Sequence, residues 1–226
     1  MDYKIVRNSR RKKIAIKISE ENEIIVLAPK YATKKYIEEV VNINKTFIER
    51  KLLEAKASRE KGVLEKGYVF LLGEKVPIKL QYIYEPNNRL KYTGNEIELF
   101  IFNEEKNKET TIKNLLIEWY KKIGKAYLSK MLEEKAETLG FKFNDVRVKD
   151  VNTRWGSCSS KGNINLNYRL IMMPEEVINY VMIHELCHLK EMNHSKNFWT
   201  LVETFDGEYK KHREFLRANG NKYRVY

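Results

Sequence analysis

The first third of the chain alternates apolar and charged positions in a way that favours strands. Residues 12–18 follow a period of two, which is typical of a half-exposed antiparallel strand. A second strand is predicted over residues 23–28, after a polar turn, and Pro29 ends it. A helix is then predicted from about Thr33 to Arg59, because Thr33 is a good N-cap and the apolar residues behind it keep helical spacing.

Short strands are predicted again over residues 68–72, 75–82 and 90–102, with turns at Gly73 and at Gly94-Asn95. The charged stretch that follows, residues 103–109, has the composition of a linker. We therefore expect a β-rich N-terminal subdomain with one long helix over residues 1–103, and a second domain over residues 104–226.

The second domain begins with the longest periodic segment of the chain. Apolar residues recur at helical spacing from Thr110 to Leu139, and Gly140 stands where a helix commonly ends. Strands are predicted over residues 145–151 and 163–170. Further helices are predicted from Pro174 to about Lys190, over residues 196–205 and over residues 207–218. This mixture of elements predicts an α+β domain.

Length and composition narrow the class of protein. A chain of 226 residues allows one or two domains. No apolar run approaches the roughly 18–20 residues that span a bilayer, and the N-terminus lacks the layout of a secretory signal. Two cysteines do not form a disulfide framework. These features predict a cytoplasmic protein without a membrane partner.

The formal net charge of +12 creates a field that attracts anions of any kind, including nucleic acid, nucleotides and acidic peptides. No basic segment carries a nucleic-acid recognition motif. A lysine-rich composition is also common in some whole proteomes, so the charge suggests a class of partner without selecting one.

The strongest chemical signal is the run His184-Glu185-Leu186-Cys187-His188 on a predicted helix. Histidines four positions apart lie on one helix face, so both rings can reach a single ion. Glu185 follows the first of them and can exchange a proton with a metal-activated water. A catalytic zinc usually has three protein ligands and an open position. His194 supplies the third, since Asn193 permits a turn back towards the ion.

The remaining histidine, His212, lies among Lys210, Lys211 and Arg213, and we expect it on the surface. The two cysteines are expected to be small buried apolar residues, because Cys187 points away from the ligand face. Glu203 and Asp206 are candidates for accepting a hydrogen bond from the ring N–H of a metal-binding histidine, although a solvated role is favoured for both.

Several runs resemble a known family: Asn152–Cys158, Asn165–Asn167, the histidine motif and Asn193–Trp199. They are similar to the YgjP-like metallohydrolases, which are regarded as zinc metallopeptidases and are related to SprT-like and minigluzincin proteins. The resemblance covers most of the chain. It implies a zincin-like fold, one Zn²⁺ held by His184, His188 and His194, and Glu185 as the catalytic carboxylate. Glu191 stands where metzincins have glycine, which argues against that related group.

Four residues are candidates for binding substrate. Arg154 can hold a carboxylate or phosphate through paired hydrogen bonds, or it can equally be a structural arginine. For Trp155 a packing role is favoured. Asn165 and Asn167 alternate on a strand that, by analogy with other zinc peptidases, could border the cleft and align a peptide.

We therefore expect a zinc-dependent hydrolase, most simply a metallopeptidase that acts on a peptide or a small anionic substrate. Two alternatives remain open. One is a metal-dependent phosphohydrolase acting on nucleotides, since the chain is basic and Arg154 suits phosphate. The other is a nucleic-acid-associated protein of the SprT-like kind, whose binding would weaken steeply with salt.

Overall fold

The computed structural model describes residues 2–18, 23–50, 52, 63–151 and 153–225. They form two compact units, one ending at Gly62 and one spanning Val63–Val225. The division therefore falls about forty residues before the boundary expected at residue 103. The reason is packing: Leu99 and Ile101 share one hydrophobic core with Ile112 and Leu116 of the helix that follows. The strand before the expected linker and the helix after it therefore belong to the same unit.

The first unit is a three-stranded sheet with helical segments. Its strands are β1 (Tyr3–Asn8), β2 (Ala15–Ile18) and β3 (Ile24–Pro29). The strand β3 is central, parallel to β1 and antiparallel to β2. Its inward residues pack against helix α1 (Lys34–Ile43) in a small core of their own.

Helix α1 begins as predicted, because the Thr33 hydroxyl accepts a hydrogen bond from the Tyr36 N–H at 3.2 Å. It is shorter than predicted, since Asn44 is its C-cap and a separate helical stretch follows over residues 45–50. The rest of the predicted helix, residue 51 and residues 53–59, lies outside the described residues, as does the predicted turn at residues 20–22.

The second unit opens with a short helix, α2 (Val63–Lys66), and a four-stranded sheet. In chain order, the strands of this sheet are β4 (Tyr68–Leu71), β5 (Glu74–Ile83), β6 (Arg89–Tyr92) and β7 (Ile97–Phe102). Side by side, they lie in the order β4-β5-β7-β6. The predicted turns at Gly73 and Gly94 are confirmed, and both glycines have positive φ angles, 85° and 103°.

The predicted long helix is α3 (Lys108–Leu139), and Gly140 ends it in the left-handed conformation with φ 69°. Every fourth residue of its inner face is buried, from Ile112 to Ala136. Gly124 is on that face, where a Cβ would lie 3.2 Å from the Tyr168 carbonyl oxygen. The missing side chain lets α3 approach the 3-10 helix Tyr168–Met172 closely. This 3-10 helix directly follows the last strand of the third sheet.

That third sheet consists of β8 (Asp145–Lys149), β9 (Gly156–Cys158) and β10 (Asn163–Asn167). Its order is β8-β10-β9, so β10 is central and β9 is an edge strand. Three helices follow: α4 (Glu175–Cys187), α5 (Lys196–Phe205) and α6 (Tyr209–Asn219). Helix α4 packs against β9, α5 and α6. No helix among the described residues is long and apolar enough to cross a membrane.

Candidate metal centre

Helix α4 presents the first two histidines of the predicted site. Its core-facing residues are almost fully buried, and the helix ends at Cys187, three residues earlier than expected. His188 is the C-cap, but its φ of −64° and ψ of −17° still follow the helical path. His184 and His188 therefore lie one turn apart on the same face, as their spacing predicts.

The chain then turns so that His194 reaches the same point. The Asn193 side chain accepts a hydrogen bond from the Ser195 N–H at 3.1 Å, and the Ser195 hydroxyl caps helix α5 by accepting from the Phe198 N–H at 3.3 Å. These two contacts direct His194 back over α4. Its Nε2 lies 3.1 Å from the Nε2 of His184, and one ring nitrogen from each of the three histidines falls within 4.8 Å of the others.

The three nitrogens suit a bound metal ion. Zinc–nitrogen bonds of about 2.0–2.1 Å place tetrahedral ligands roughly 3.3 Å apart, close to the separation between His184 and His194. A hydrogen-bond contact orients the ring of His188, because its Nδ1 lies 3.0 Å from the Glu191 carbonyl oxygen. A proton on Nδ1 leaves the lone pair of Nε2 free for a metal.

Aromatic side chains of α5 enclose the histidines. Phe198 stacks on His188 with 4.4 Å between ring centroids, and Trp199 stacks on His194 at 5.6 Å. Burial lowers the pKa of His184 to about 3, with a further contribution from the neighbouring histidines, and burial also lowers the pKa of His188. Both rings are thus held in the neutral form that binds metals.

Glu185 is buried beside this cluster, with 5% of its surface exposed. Its Oε2 has no hydrogen-bond partner among the described residues. Burial raises the pKa of the carboxyl to about 8, while the positive charge of Arg154 acts in the opposite direction. A buried carboxylate oxygen without a partner is costly, so its presence beside three converging ring nitrogens makes this cluster a candidate site for an ion, a water or a substrate.

The edge strand β9 lies directly against this carboxylate. A Cβ on Gly156 would be 2.5 Å from Oε1 of Glu185 and 2.7 Å from its Cγ, so only glycine fits. The sequence alone assigned Gly156 no individual role. Its place in the run Arg154-Trp155-Gly156 was the available signal, but a glycine required for space looks the same in a sequence as one required for a turn.

The candidate substrate residues separate into two groups. Arg154 and Trp155 line a pocket of about 170 Å³, together with Asn167. The Asn167 amide is also a structural clamp, since it donates to the carbonyl oxygens of Val151 at 2.6 Å and Arg154 at 3.0 Å. Asn165 donates to the Ser157 hydroxyl at 3.2 Å. Both asparagines lie on the central strand β10, so the edge-strand position expected for them belongs to β9 instead.

His212 is not a surface residue, contrary to the expectation from its charged neighbours. It is 8% exposed, and its Nδ1 lies 2.8 Å from Oδ2 of Asp206. Asp206, for which a solvated role was favoured, has a side chain that is only 10% exposed, and it contacts His212 rather than any histidine of the cluster. Glu203 is exposed and pairs with Lys210 at 3.3 Å, so its solvated role is confirmed.

The cysteines are outside the cluster of ligand atoms that the described residues form. Cys187 is fully buried, as expected, whereas Cys158 is half-buried. Burial raises the pKa of both thiols, to about 12 for Cys187 and about 11 for Cys158. Neither is therefore a ready thiolate donor.

Comparison with known proteins identifies the family. Residues 12–219 match the family model described as YgjP-like, metallopeptidase domain. Among solved structures, the metallopeptidase zymogen of Pyrococcus abyssi abylysin is 32% identical, with a TM-score of 0.37, over 43% of this chain and 96% of that one. The metallopeptidase zymogen of Methanocaldococcus jannaschii jannalysin is 20% identical, with a TM-score of 0.34, over 38% and 89% of the two chains. No curated protein matches. Since the family model spans nearly the whole sequence, the chain belongs to the YgjP-like family, a group of metallopeptidase domains and hence of metal-dependent hydrolases.

Proposed function

We propose that this chain is a zinc-dependent peptidase, in which His184, His188 and His194 hold the ion and Glu185 is the general base. One observation carries the proposal. Three ring nitrogens converge within 4.8 Å beside a buried carboxylate oxygen that has no partner among the described residues. A purely structural cluster would be expected to satisfy that oxygen from within the protein.

The chemistry of the donor set favours zinc. Neutral imidazole is a good ligand for zinc, copper, iron and nickel, and three protein ligands with an open position are typical of catalytic zinc sites. When bound, zinc polarises the scissile carbonyl and makes its water easier to deprotonate. Metal analysis of the purified protein tests this choice, with one zinc per chain expected.

Glu185 would move the proton. Its Oε2 can accept a proton from the attacking water, and the buried setting that raises the pKa of the carboxyl to about 8 allows the residue to hold that proton. The same oxygen can then deliver it to the amine that leaves. The charge of Arg154 opposes the rise in pKa and so favours the carboxylate, the form of Glu185 that acts as a base.

The edge strand β9 would align the substrate. Its bonds to β10 come from alternate residues: the Asn167 N–H donates to the Trp155 carbonyl at 2.8 Å, and the Ser159 N–H donates to Asn163 at 3.0 Å. The N–H and C=O groups of Gly156 and Cys158 therefore face away from the sheet. An extended peptide can pair with this edge as an added strand. Because Gly156 lies against Glu185, a peptide bond held there would be next to the base.

The decisive variant is Glu185→Gln, which keeps size and removes the base. We expect it to retain the metal and to lose roughly 10²–10⁴-fold in kcat, the usual contribution of general base catalysis. Glu203→Gln, an exposed glutamate of the same region, is the matched control and should be fully active. Full activity of Glu185→Gln would rule out the assigned role.

A substrate screen tests the reaction itself. The basic composition leaves a phosphoanhydride as the alternative substrate, so casein and a nucleoside triphosphate should be compared with the same preparation. Cleavage of casein that depends on Glu185 supports a peptidase. Hydrolysis of the nucleotide alone would assign the same centre to phosphoryl chemistry.

A further inference from the structure

An arginine-rich pocket lies at the end of the third sheet, and of its arginines only Arg154 enters the chemistry above, through its charge on Glu185. It has a volume of about 170 Å³. Four of the lining residues are arginines, namely Arg154, Arg169, Arg217 and Arg224. The other lining residues are Thr153, Trp155, Asn167, Leu216, Gly220 and Asn221. We call it the arginine pocket.

The positive charge of this pocket is not balanced from within. The lining contains no aspartate or glutamate, and among the described residues no carboxylate pairs with Arg154, Arg169 or Arg224. Arg217 pairs with Glu214 at 2.9 Å, but both side chains are well exposed, and such surface pairs contribute little. Four like charges around one small cavity repel each other, and an anion relieves that repulsion.

One of the arginines is built into the structure. Arg169 is 8% exposed, donates to the Val151 carbonyl and to the Asn167 side chain, and lies over the Trp155 ring at 5.7 Å. Its charge is therefore held at the base of the pocket. Arg154, Arg217 and Arg224 are exposed. Their guanidinium groups can reach a ligand from the rim, with Arg217 giving up its surface contact to Glu214 and Arg224 its contact to Asn221.

The arginine pocket adjoins the metal centre by two routes. Along the chain, Trp155 precedes Gly156, which touches Glu185, and the charge of Arg154 acts on that carboxyl. Along helix α6, Arg217 is one turn beyond Arg213, whose charge acts on His184. A ligand in the pocket would thus lie within a few residues of a peptide bond held at the metal centre.

Strand addition sets which end of a peptide reaches the pocket. A peptide that pairs antiparallel with β9 runs opposite to it, so the segment after the scissile bond heads towards Trp155 and Arg154. Each extended residue advances about 3.3 Å. A carboxylate one to three residues beyond the cleaved bond would therefore meet the arginines.

We propose that the arginine pocket binds a carboxylate of the peptide substrate on the C-terminal side of the cleaved bond. The carboxylate is either the free C-terminus or an aspartate or glutamate side chain, and paired guanidinium hydrogen bonds would hold it. This assignment rests on the proposed peptidase function and specifies its substrate: cleavage occurs near a C-terminus or shortly before an acidic residue.

Peptide binding can be measured without any turnover. The probe is pentaalanine with an N-terminal methoxycoumarin, a neutral fluorophore, in three forms: free C-terminal acid, C-terminal amide, and amide with glutamate as the last residue. Fluorescence anisotropy of the full chain is recorded in 1,10-phenanthroline, a neutral chelator that does not compete for arginines. We expect the free acid, the glutamate amide or both to bind at least about tenfold more tightly than the plain amide, the scale of a charge-assisted hydrogen bond.

The variant Arg217→Gln with Arg224→Gln should abolish that preference, because it removes two rim cations and leaves the buried Arg169 in place. The matched control is Arg147→Gln, an exposed arginine of β8 outside the pocket, which should keep the preference. Arg154 is left unchanged because its charge acts on Glu185.

The outcomes are distinguishable. Preference for the free acid alone identifies the C-terminus as the ligand, and preference for the glutamate amide identifies a side chain. Equal binding of all three peptides, or a preference that survives the double variant, would overturn the proposal. Displacement of the free acid by inorganic pyrophosphate at a far lower concentration than acetate would overturn it in favour of a phosphate ligand. Since the metal is chelated and no turnover is measured, these results do not depend on the outcome of the Glu185→Gln test.

Discussion

Two buried polar clusters of the second unit differ in whether their polar atoms have hydrogen-bond partners. Around Asn167, the side-chain amide donates to two carbonyl oxygens, and its oxygen accepts from the backbone and side chain of Arg169. Around Glu185, the Oε2 atom and the Nδ1 of His184 are buried without a partner among the described residues. Complete hydrogen bonding of buried polar groups stabilises a fold. Buried groups without partners lower its stability, and proteins tolerate them where they bind a ligand or take part in chemistry.

Position in the sheet explains part of the contrast. Asn167 ends the central strand β10, where the segment between β8 and β9 supplies both carbonyl groups. Glu185 faces the edge strand β9, beyond which a substrate can enter. The two clusters are joined through Trp155, whose carbonyl accepts from the Asn167 N–H at 2.8 Å. The paired cluster therefore holds the edge strand that borders the unpaired one.

The largest expected effect comes from crowding the unpaired cluster. In Gly156→Ala the new methyl group overlaps the Glu185 carboxylate, so the carboxylate must move. We expect kcat to fall about 10³-fold, within the range of general base catalysis, while metal content and melting temperature change little. Gly207→Ala, at a glycine with open space around it, is the control. Unchanged turnover in Gly156→Ala would show that the carboxylate position is not critical.

The paired cluster should respond in stability rather than in chemistry. Asn167→Ala removes four hydrogen bonds and leaves buried groups unpaired, so we expect a loss of about 2–3 kcal/mol in the free energy of unfolding. Urea denaturation measures it. Asn165→Ala removes one bond to Ser157 and should cost about 1 kcal/mol or less. Equal losses in the two variants would contradict the special role of Asn167.

The smallest effect is expected at the His212–Asp206 pair, a second paired site near the metal centre. His212→Leu fills the space with an apolar side chain but leaves the Asp206 carboxylate, which is only 10% exposed, without its imidazole partner, so we expect a loss of about 1–2 kcal/mol. The exposed pair Lys211–Glu208 offers the control Lys211→Gln, with a change below about 0.5 kcal/mol. Loss of bound metal in His212→Leu would show instead that this pair supports the metal centre rather than only the stability of the fold.

Elements with a long periodic pattern or a clear capping residue were predicted correctly from the sequence. The period of α3 and its glycine stop were both evident, and so was the Thr33 cap of α1, because these features depend on neighbours within a turn. The helix α6 was predicted, but the burial of His212 was missed. Its charged neighbours favoured a surface position, yet Tyr209, His212 and Leu216 are spaced three and four residues apart and so form a stripe on one face of the helix.

Other features left almost no local signal. Three residues are too few for periodicity to identify β9, and the partner that makes it a strand is β10, several residues further along the chain. The domain division was misplaced for a similar reason: a charged stretch reads as a linker, while the packing of β7 against α3 becomes visible only in three dimensions.

The sequence by itself determined that His184 and His188 share a helix face, because the helical repeat places residues four apart in register. It also determined the chemical character of the site through the choice of imidazole and carboxylate. Only the tertiary structure decided that Gly156 meets Glu185 and that four arginines from separate segments surround one cavity. Those contacts join residues far apart in the chain, and their distances follow from how sheets and helices pack rather than from any local repeat.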